Sequence, residues 1–256
     1  MKAIIAIPCY NCEVQLPRVL NGISSSLAAQ VDAVWVVDNG SSDGTLGVAR
    51  EYRRNGRLEN LRVFQNLRNV SLGGTHKIVF NKARMAGATH VVILHGDDQA
   101  TASEARDLLQ RARSGSTQTV LGSRFGRHSR LYGYDWKRIV GNRALNIIFS
   151  AVAARRLEDL GSGLNLFRLS DLEPDTYMRF GDSLSFNYEL ILDLVRRDVP
   201  FQFHPITWSE SDQTSNTRNV RIFLAALGIL LRWRFHRTVD GVTPRSLDAY
   251  DWQEVE

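Results

Sequence analysis

One short run constrains the fold more than any other. Val91-Val92-Ile93-Leu94 leads directly into His95-Gly96-Asp97-Asp98-Gln99. Four consecutive apolar residues, three of them β-branched, fit a strand covered on both faces. A one-sided strand would alternate apolar and polar positions instead. Such a strand belongs to a parallel sheet with helices on either side, and its carboxyl end opens on the crevice where open α/β sheets bind ligands. A Gly and two adjacent acids at that rim supply oxygen ligands of the kind hard divalent cations take, and such a cation suits phosphates.

The rest of the first half repeats the pattern. Strands are predicted over Ala3–Ile7, Ala33–Val37, Leu61–Gln65, Val91–Leu94 and around Val120–Leu121, with helices over Val14–Ala29, Gly44–Arg53, Gly74–Ala86 and Ser103–Ala112. Repeated strand–helix units with right-handed crossovers give a mostly parallel, Rossmann-like α/β sheet with helices on both faces. The second half is less regular. Helices are predicted over Lys137–Arg155 and Phe186–Arg196, and strands over Leu164–Phe167 and Phe201–Ile206, the last ended by Pro205. No internal repeat or long linker divides the chain, so residues 1–218 read as one domain and 219–256 as a C-terminal basic amphipathic helix and tail.

Composition narrows the partners. With 256 residues and 43% hydrophobic content the chain can bury a sizeable core. A formal net charge of +5 favours anionic partners such as nucleotides and lipid phosphates. Nucleic acid is not expected, because no basic–aromatic strip resembles a nucleic-acid module. The cysteines are Cys9 and Cys12 alone. A structural zinc site needs four ligands, and no second pair supplies them. The pair is read as two small residues in a tight turn, in a reducing compartment. The opening apolar run, Ala3 to Pro8, is too short for a signal peptide or a membrane span. The chain is expected in the cytoplasm, with peripheral contact on the inner face of a membrane. That contact is placed on 219–235, with a core helix that has basic ends as the alternative. The apolar core Ile222–Leu231 covers about 15 Å as a helix, half a bilayer's hydrocarbon thickness, and is flanked by Arg218, Arg221, Arg232, Arg234 and Arg237.

Three predicted strand ends carry polar residues that such a sheet brings to one crevice. They are Pro8-Cys9-Tyr10-Asn11, then Asp38-Asn39-Gly40-Ser41-Ser42-Asp43-Gly44-Thr45, then His95-Gly96-Asp97-Asp98-Gln99. Alone, each is weak, since Asp-rich turns cap helices everywhere, as Asp43 is expected to do. Together, in this order, the chain resembles the family-2 glycosyltransferases, the large inverting GT-A class that includes dolichol-phosphate mannose synthase. The resemblance runs from Met1 to Ile206. Ile7-Pro8-Cys9-Tyr10-Asn11 is similar to the family's I-P-x-Y-N, and Val36-Val37-Asp38-Asn39-Gly40-Ser41-Ser42-Asp43-Gly44-Thr45 to its V-V-D-D-G-S-x-D-G-T. Arg68-Asn69 with Gly73-Gly74 resembles the R-N-x-G segment, and His95-Gly96-Asp97 the D-x-D. Gly122-Ser123-Arg124-Phe125, Gly141-Asn142-Arg143 and Asp159-Leu160-Gly161-Ser162-Gly163 resemble the G-S-R, N-R and D-x-x-S-G elements of the acceptor half.

The resemblance implies roles. Pro8, Tyr10, Asn11 and Asp38 would hold the nucleotide of a nucleoside-diphosphate sugar. Asp97 would bind a divalent metal, Mg²⁺ or Mn²⁺, with Asp98 and Gln99 assisting and Gly96 in contact with the donor. Arg68 and Arg124 would face its phosphates. A cation and guanidinium groups are what a diphosphate leaving group needs as its charge develops. The acceptor would be a lipid-linked polyprenyl phosphate or a saccharide. A phosphate is already an anion, whereas a sugar hydroxyl needs a carboxylate base, for which Asp159 and then Glu189 are the candidates.

Two departures from the family pattern stand out. His95 occupies the place of the leading Asp, and is expected as a neutral imidazole facing a hydroxyl. That loss leaves a non-catalytic nucleotide-sugar-binding protein as the alternative. The R-x-x-G-x-S-K of polyprenyl-phosphate transferases has no match in Ser209–Asn216, whose nearest cations are Arg218 and Arg221. A dinucleotide-binding enzyme is excluded, because its glycine fingerprint is missing after the first strand.

Overall fold

The protein is described by a computed structural model covering residues 1–210, 219–235, 246–250 and 252–256. The expected tail segment Ser211–Asn216, with Arg218 and Arg237, lies outside the described residues. The elements run β1 (Ala3–Cys9), α1 (Leu16–Gly22), α2 (Ser25–Ala28), β2 (Ala33–Asp38), α3 (Thr45–Arg54), β3 (Leu61–Asn66), α4 (Ser71–Met85), β4 (His90–Leu94), α5 (Ala105–Ser114), β5 (Thr119–Ser123), β6 (Arg130–Tyr132) and α6 (Trp136–Ala153). They continue with β7 (Leu164–Arg168), α7 (Pro174–Tyr177), α8 (Phe186–Arg196), β8 (Phe201–Pro205), β9 (Thr207–Ser209), α9 (Asn219–Arg234) and β10 (Trp252–Val255).

Eight strands form one sheet in the order β10-β3-β2-β1-β4-β7-β5-β8, and β6 pairs with β9 in a small second sheet. The fold is α/β with a mostly parallel sheet, as the repeated units predict. Only β7 and β10 run antiparallel to their neighbours in it. Each inner strand divides its side chains between two cores. Ile5, Ile7, Val92 and Leu94 face the α1 and α5 side, while Ile4, Ala6, Val91 and Ile93 face the α4, α6 and α8 side. Full burial of each aliphatic is worth about 1.5–3 kcal/mol, so a central strand buried on both faces anchors the domain.

One local prediction is corrected, and one predicted strand gains a direction. Val14–Ala29 is not one helix: α1 stops at Gly22, and Ser24 starts α2 by accepting the Leu27 N–H at 3.2 Å. The Leu164–Phe167 strand is antiparallel between β4 and β5. That reversal matters for the site. The carboxyl ends of β1, β2, β4, β5 and β8 share one edge of the sheet, and the reversed β7 brings its beginning, Asp159 to Gly163, to the same edge. His95 N–H bonds the Gly163 carbonyl there at 3.0 Å.

Candidate active site

The β1 and β2 ends are tied into one rim. Asn11, with φ of 53°, donates its N–H to Ser41 Oγ at 3.0 Å and accepts the Ser42 N–H at 2.9 Å. Cys12 N–H bonds Thr45 Oγ1 at 2.8 Å. Asp43 caps α3 from one residue outside, accepting the Thr45 N–H at 3.0 Å. Asp38 is fully buried and accepts the Ser41 N–H. Burial pushes its carboxyl above the usual carboxylate range. The Tyr10 ring stands half exposed on the rim, an open face on which a planar base can stack. Pro8 is buried within β1, and its carbonyl accepts the Gly96 N–H at 2.9 Å, joining the first rim to the third.

Arg68 sits on an exposed loop that is fixed from below. Asn39 Nδ2 donates to Asn69 Oδ1 at 3.0 Å, and Asn66 Nδ2 donates to Asn39 Oδ1 at 3.0 Å. Gly40 has φ of +68°, and a Cβ there would lie 2.8 Å from the Asn69 nitrogen, so no larger residue fits between the two loops.

At the end of β4 the backbone turns tightly. A Cβ on Gly96 would lie 2.4 Å from Cys9 Sγ. The turn separates the two acids. Asp98 adopts a left-handed φ of 57° and its carboxylate pairs with Arg18 at 2.6 Å. Asp97 has no ion pair among the described residues, and it accepts the Gln99 N–H at 3.3 Å. Burial raises its pKa, opposed by the neighbouring His95. His95 packs with its ring centroid 5.8 Å from that of His76, and its Nε2 is buried without a protein partner. Burial lowers the His95 pKa, which keeps the ring neutral at pH 7.

The acceptor side is built on Arg124 and Asp159. Arg124 donates from Nε at 2.7 Å and from Nη2 at 2.8 Å to the two Asp159 oxygens, and from its main-chain N–H at 2.9 Å. Gly161 N–H adds a fourth bond at 3.0 Å. The guanidinium lies 4.9 Å from the Trp208 ring centroid. Asn142 donates to the Tyr134 hydroxyl at 2.8 Å. Arg138 pairs with Glu210 at 2.6 Å, and Gln99 Nε2 donates to Glu210 at 3.3 Å. Glu189 is half-buried on α8, accepting the Gly181 N–H at 3.1 Å beside buried Lys77. Burial raises its pKa.

Residues 4–172 match the model described as glycosyl transferase family 2, more than half of the sequence. The chain belongs to glycosyltransferase family 2. It is 24% identical over 238 residues to polyprenol monophosphomannose synthase of Mycolicibacterium smegmatis, covering 89% of this chain and 87% of the relative. An uncharacterised protein of Methanocaldococcus jannaschii is 24% identical over 206 residues, covering 76% and 82%. Among solved structures, glucosyl-3-phosphoglycerate synthase of Mycobacterium tuberculosis, in complex with Mn²⁺, UDP-glucose and phosphoglyceric acid, aligns with a TM-score of 0.66 at 14% identity, over 91% of this chain and 80% of that one. The TarS protein of S. aureus, in complex with UDP-GlcNAc, aligns with a TM-score of 0.57 at 16% identity, over 94% and 74%. The fold is therefore GT-A, and the protein is a nucleotide-sugar glycosyltransferase.

For this family-2 enzyme the structure sorts the residues named from sequence. It gathers Pro8, Tyr10, Asn11, Asp38, Gly96 and Asp97 at the edge where β1, β2 and β4 end, and fixes the Arg68 loop to the β2 end. Asp98 is paired with Arg18. Asp159 and Arg124 are bonded to each other, and each has its best-placed polar atoms committed to the pair. Among the described residues no three His, Cys, Asp or Glu side chains converge as a ready-made metal cage. Among the described residues Asp97 has no cationic partner and Gln99 has its Nε2 held by Glu210, so the two present oxygens that would suit a hard divalent cation. Sequence reasoning passed over Tyr134, Arg138, Trp208 and Glu210. A signal existed only for Arg138, four residues before Asn142 and so on the same helical face.

Proposed function

We propose that this enzyme transfers a sugar, with inversion, from a nucleoside-diphosphate sugar to a polyprenyl phosphate. The observation that carries the donor side is Asp97, a half-buried carboxylate with no cationic partner among the described residues, at the meeting of the β1, β2 and β4 ends. Asp97 and Gln99 would hold Mg²⁺ or Mn²⁺, and the cation would offset the charge of the departing diphosphate. Structural neighbours at this fold were solved with Mn²⁺ and UDP-glucose, which supports such a donor. Tyr10 and Asp38 bind the nucleoside. We assign Arg68, exposed on its loop, to the diphosphate, and Arg124 to the frame of the acceptor side, because Asp159 holds its guanidinium bidentately.

The acceptor assignment follows from how the two candidate bases are engaged. Asp159 accepts four hydrogen bonds, two of them from a guanidinium, so both of its oxygens are committed to anchoring. Glu189 is engaged by the Gly181 N–H at 3.1 Å. A phosphate oxygen needs neither: it attacks the anomeric carbon directly, the new C–O bond forms as the bond to the diphosphate breaks, and the nucleoside diphosphate leaves with the electron pair. The name of the mycobacterial relative supports a polyprenol acceptor.

The test is a melting panel with UDP, GDP, TDP and CDP, with and without Mn²⁺. One nucleotide should raise the melting temperature, and more so with Mn²⁺, by mass action on the native state. Asp97→Asn should abolish the Mn²⁺-dependent part, and Asp98→Ala should leave it in place, since an exposed Arg18–Asp98 pair contributes about 0–1 kcal/mol. If no nucleotide shifts the wild type, the donor reading fails. Transfer to a free saccharide but not to a polyprenyl phosphate would overturn the acceptor assignment.

A further inference from the structure

The helix α6 is apolar on two sides and packs on only one. Leu145, Phe149 and Ala153 are buried in the core. On the opposite side, at helical spacing, Trp136 (67%), Val140 (58%) and Ile147 (68%) stand exposed, with Ala144 and Ala151 between and beyond them. A helix apolar all round is normally covered all round. The neighbouring α9, which packs against α6 and α8, repeats the feature. It buries Ala226, Ile229 and Leu230 and exposes Leu224, Leu231 and Phe235 on another side. Neither helix contains an acid: α6 carries Lys137, Arg138 and Arg143, and α9 carries Arg221, Arg232 and Arg234. Lys137, Arg143, Arg232 and Arg234 are exposed.

We propose that the outer sides of α6 and α9 together form a docking surface for an anionic lipid bilayer, with α6 as a principal contact. Exposed aliphatics beside arginines, and a Trp next to a Lys at the start of α6, are the composition of a helix lying in the headgroup region. Charge selects lipid over a second copy of the chain. A two-fold contact through this face would set Lys137, Arg143, Arg232 and Arg234 against their own copies, whereas anionic headgroups neutralise them. Attachment would lie in the membrane plane, because no described helix is long and apolar enough to cross. The placement deepens the proposed acceptor. The inner side of α6 carries Arg138 and Asn142, which hold Glu210 and Tyr134 beside the Arg124–Asp159 pair. One helix thus borders both the bilayer and the acceptor half of the site.

The inference rests on the polyprenyl-phosphate reading for its purpose but is tested without donor or acceptor. The full chain is floated with phosphatidylcholine vesicles, with and without phosphatidylglycerol. It should rise with the anionic vesicles and be released by salt. The double variant Val140→Glu/Ile147→Glu on α6 should lower the partition coefficient by roughly tenfold or more, and Leu231→Glu on α9 should lower it as well. Met85→Glu, at a 74% exposed position on α4, should not. Circular dichroism and the nucleotide-induced melting shift of the α6 variant should match the wild type. Wild-type protein that stays at the bottom, or an α6 double variant that floats as well as wild type, overturns the proposal. So does a dimer, seen by light scattering, that the α6 variant dissociates. Flotation in a protein that no nucleotide stabilises would sink the donor reading and leave this one standing.

Discussion

Asp159 gives the sharpest test, because an anchoring carboxylate and a catalytic base respond oppositely to one substitution. Asp159→Asn keeps the size of the side chain and removes its charge. The Arg124 guanidinium is then buried, at 7% exposure, against an amide whose NH₂ faces its own donors. Two charge-assisted bonds, at 2.7 and 2.8 Å, lose their acceptor character or their ionic part, and the main-chain bonds from Arg124 and Gly161 weaken with them. Removing one partner of a buried ion pair costs about 3–5 kcal/mol. For a domain of this size each kcal/mol lowers the melting temperature by about 2–4 °C, so the variant should melt roughly 6–20 °C below the wild type. Urea unfolding should show the same loss as a lower midpoint with an unchanged slope. The replacement of both charges, Arg124→Met with Asp159→Leu, should be more stable than Asp159→Asn alone, since no unpaired charge remains. A base would behave differently: its loss typically lowers kcat by about 10²–10⁴ while the fold stays intact. An Asp159→Asn protein with wild-type stability and a kcat lowered by that factor would refute the anchoring role, and would move the acceptor back to a sugar hydroxyl.

Two further predictions concern the same edge of the sheet. His76 is fully buried among Phe80, Phe186 and His95, and burial pushes its pKa down to about 3. The unfolded chain, with an ordinary imidazole near 6.5, takes up a proton first as the pH falls, so stability is full above about pH 6.5 and is lost toward pH 3. Between pH 7 and pH 5 this group alone should remove about 2 kcal/mol, and His76→Leu should flatten the urea-midpoint profile by that amount; an unchanged slope against pH would count against the assignment. Gly96→Ala places a methyl 2.4 Å from Cys9 Sγ and 3.2 Å from the Pro8 carbonyl. Overpacking of this kind costs about 1–3 kcal/mol, and it should displace the Asp97 turn and weaken nucleotide binding in the melting assay; Cys9→Ala in the same chain should recover part of the loss.

The reach of the sequence differs between the two halves. In the first half, β-branched runs such as Val91–Leu94 and polar strand ends such as Asp38–Thr45 are local signals. Burial on both faces and crossover handedness then leave one arrangement of β1, β2 and β4. The convergence of the three polar strand ends on one edge was legible for that reason. What the sequence could not show was direction and pairing among distant residues. That β7 enters the sheet reversed depends on which neighbours it meets, β4 and β5, and on nothing in Leu164–Phe167 itself. The reversal is what carries Asp159 to the crevice and into contact with Arg124, 35 positions earlier in the chain. It turned an acid that reads as a base into the partner of an arginine that reads as a phosphate ligand. Asp97 and Asp98 are likewise equivalent as text. The left-handed turn at Asp98 points one carboxylate to Arg18 and leaves the other desolvated. Residue types and their periodicity determined that this chain builds a mostly parallel α/β sheet with polar strand ends at its carboxyl edge. Only the tertiary structure decided which of its charges are already neutralised, because neutralisation depends on partners that the backbone brings together from far apart.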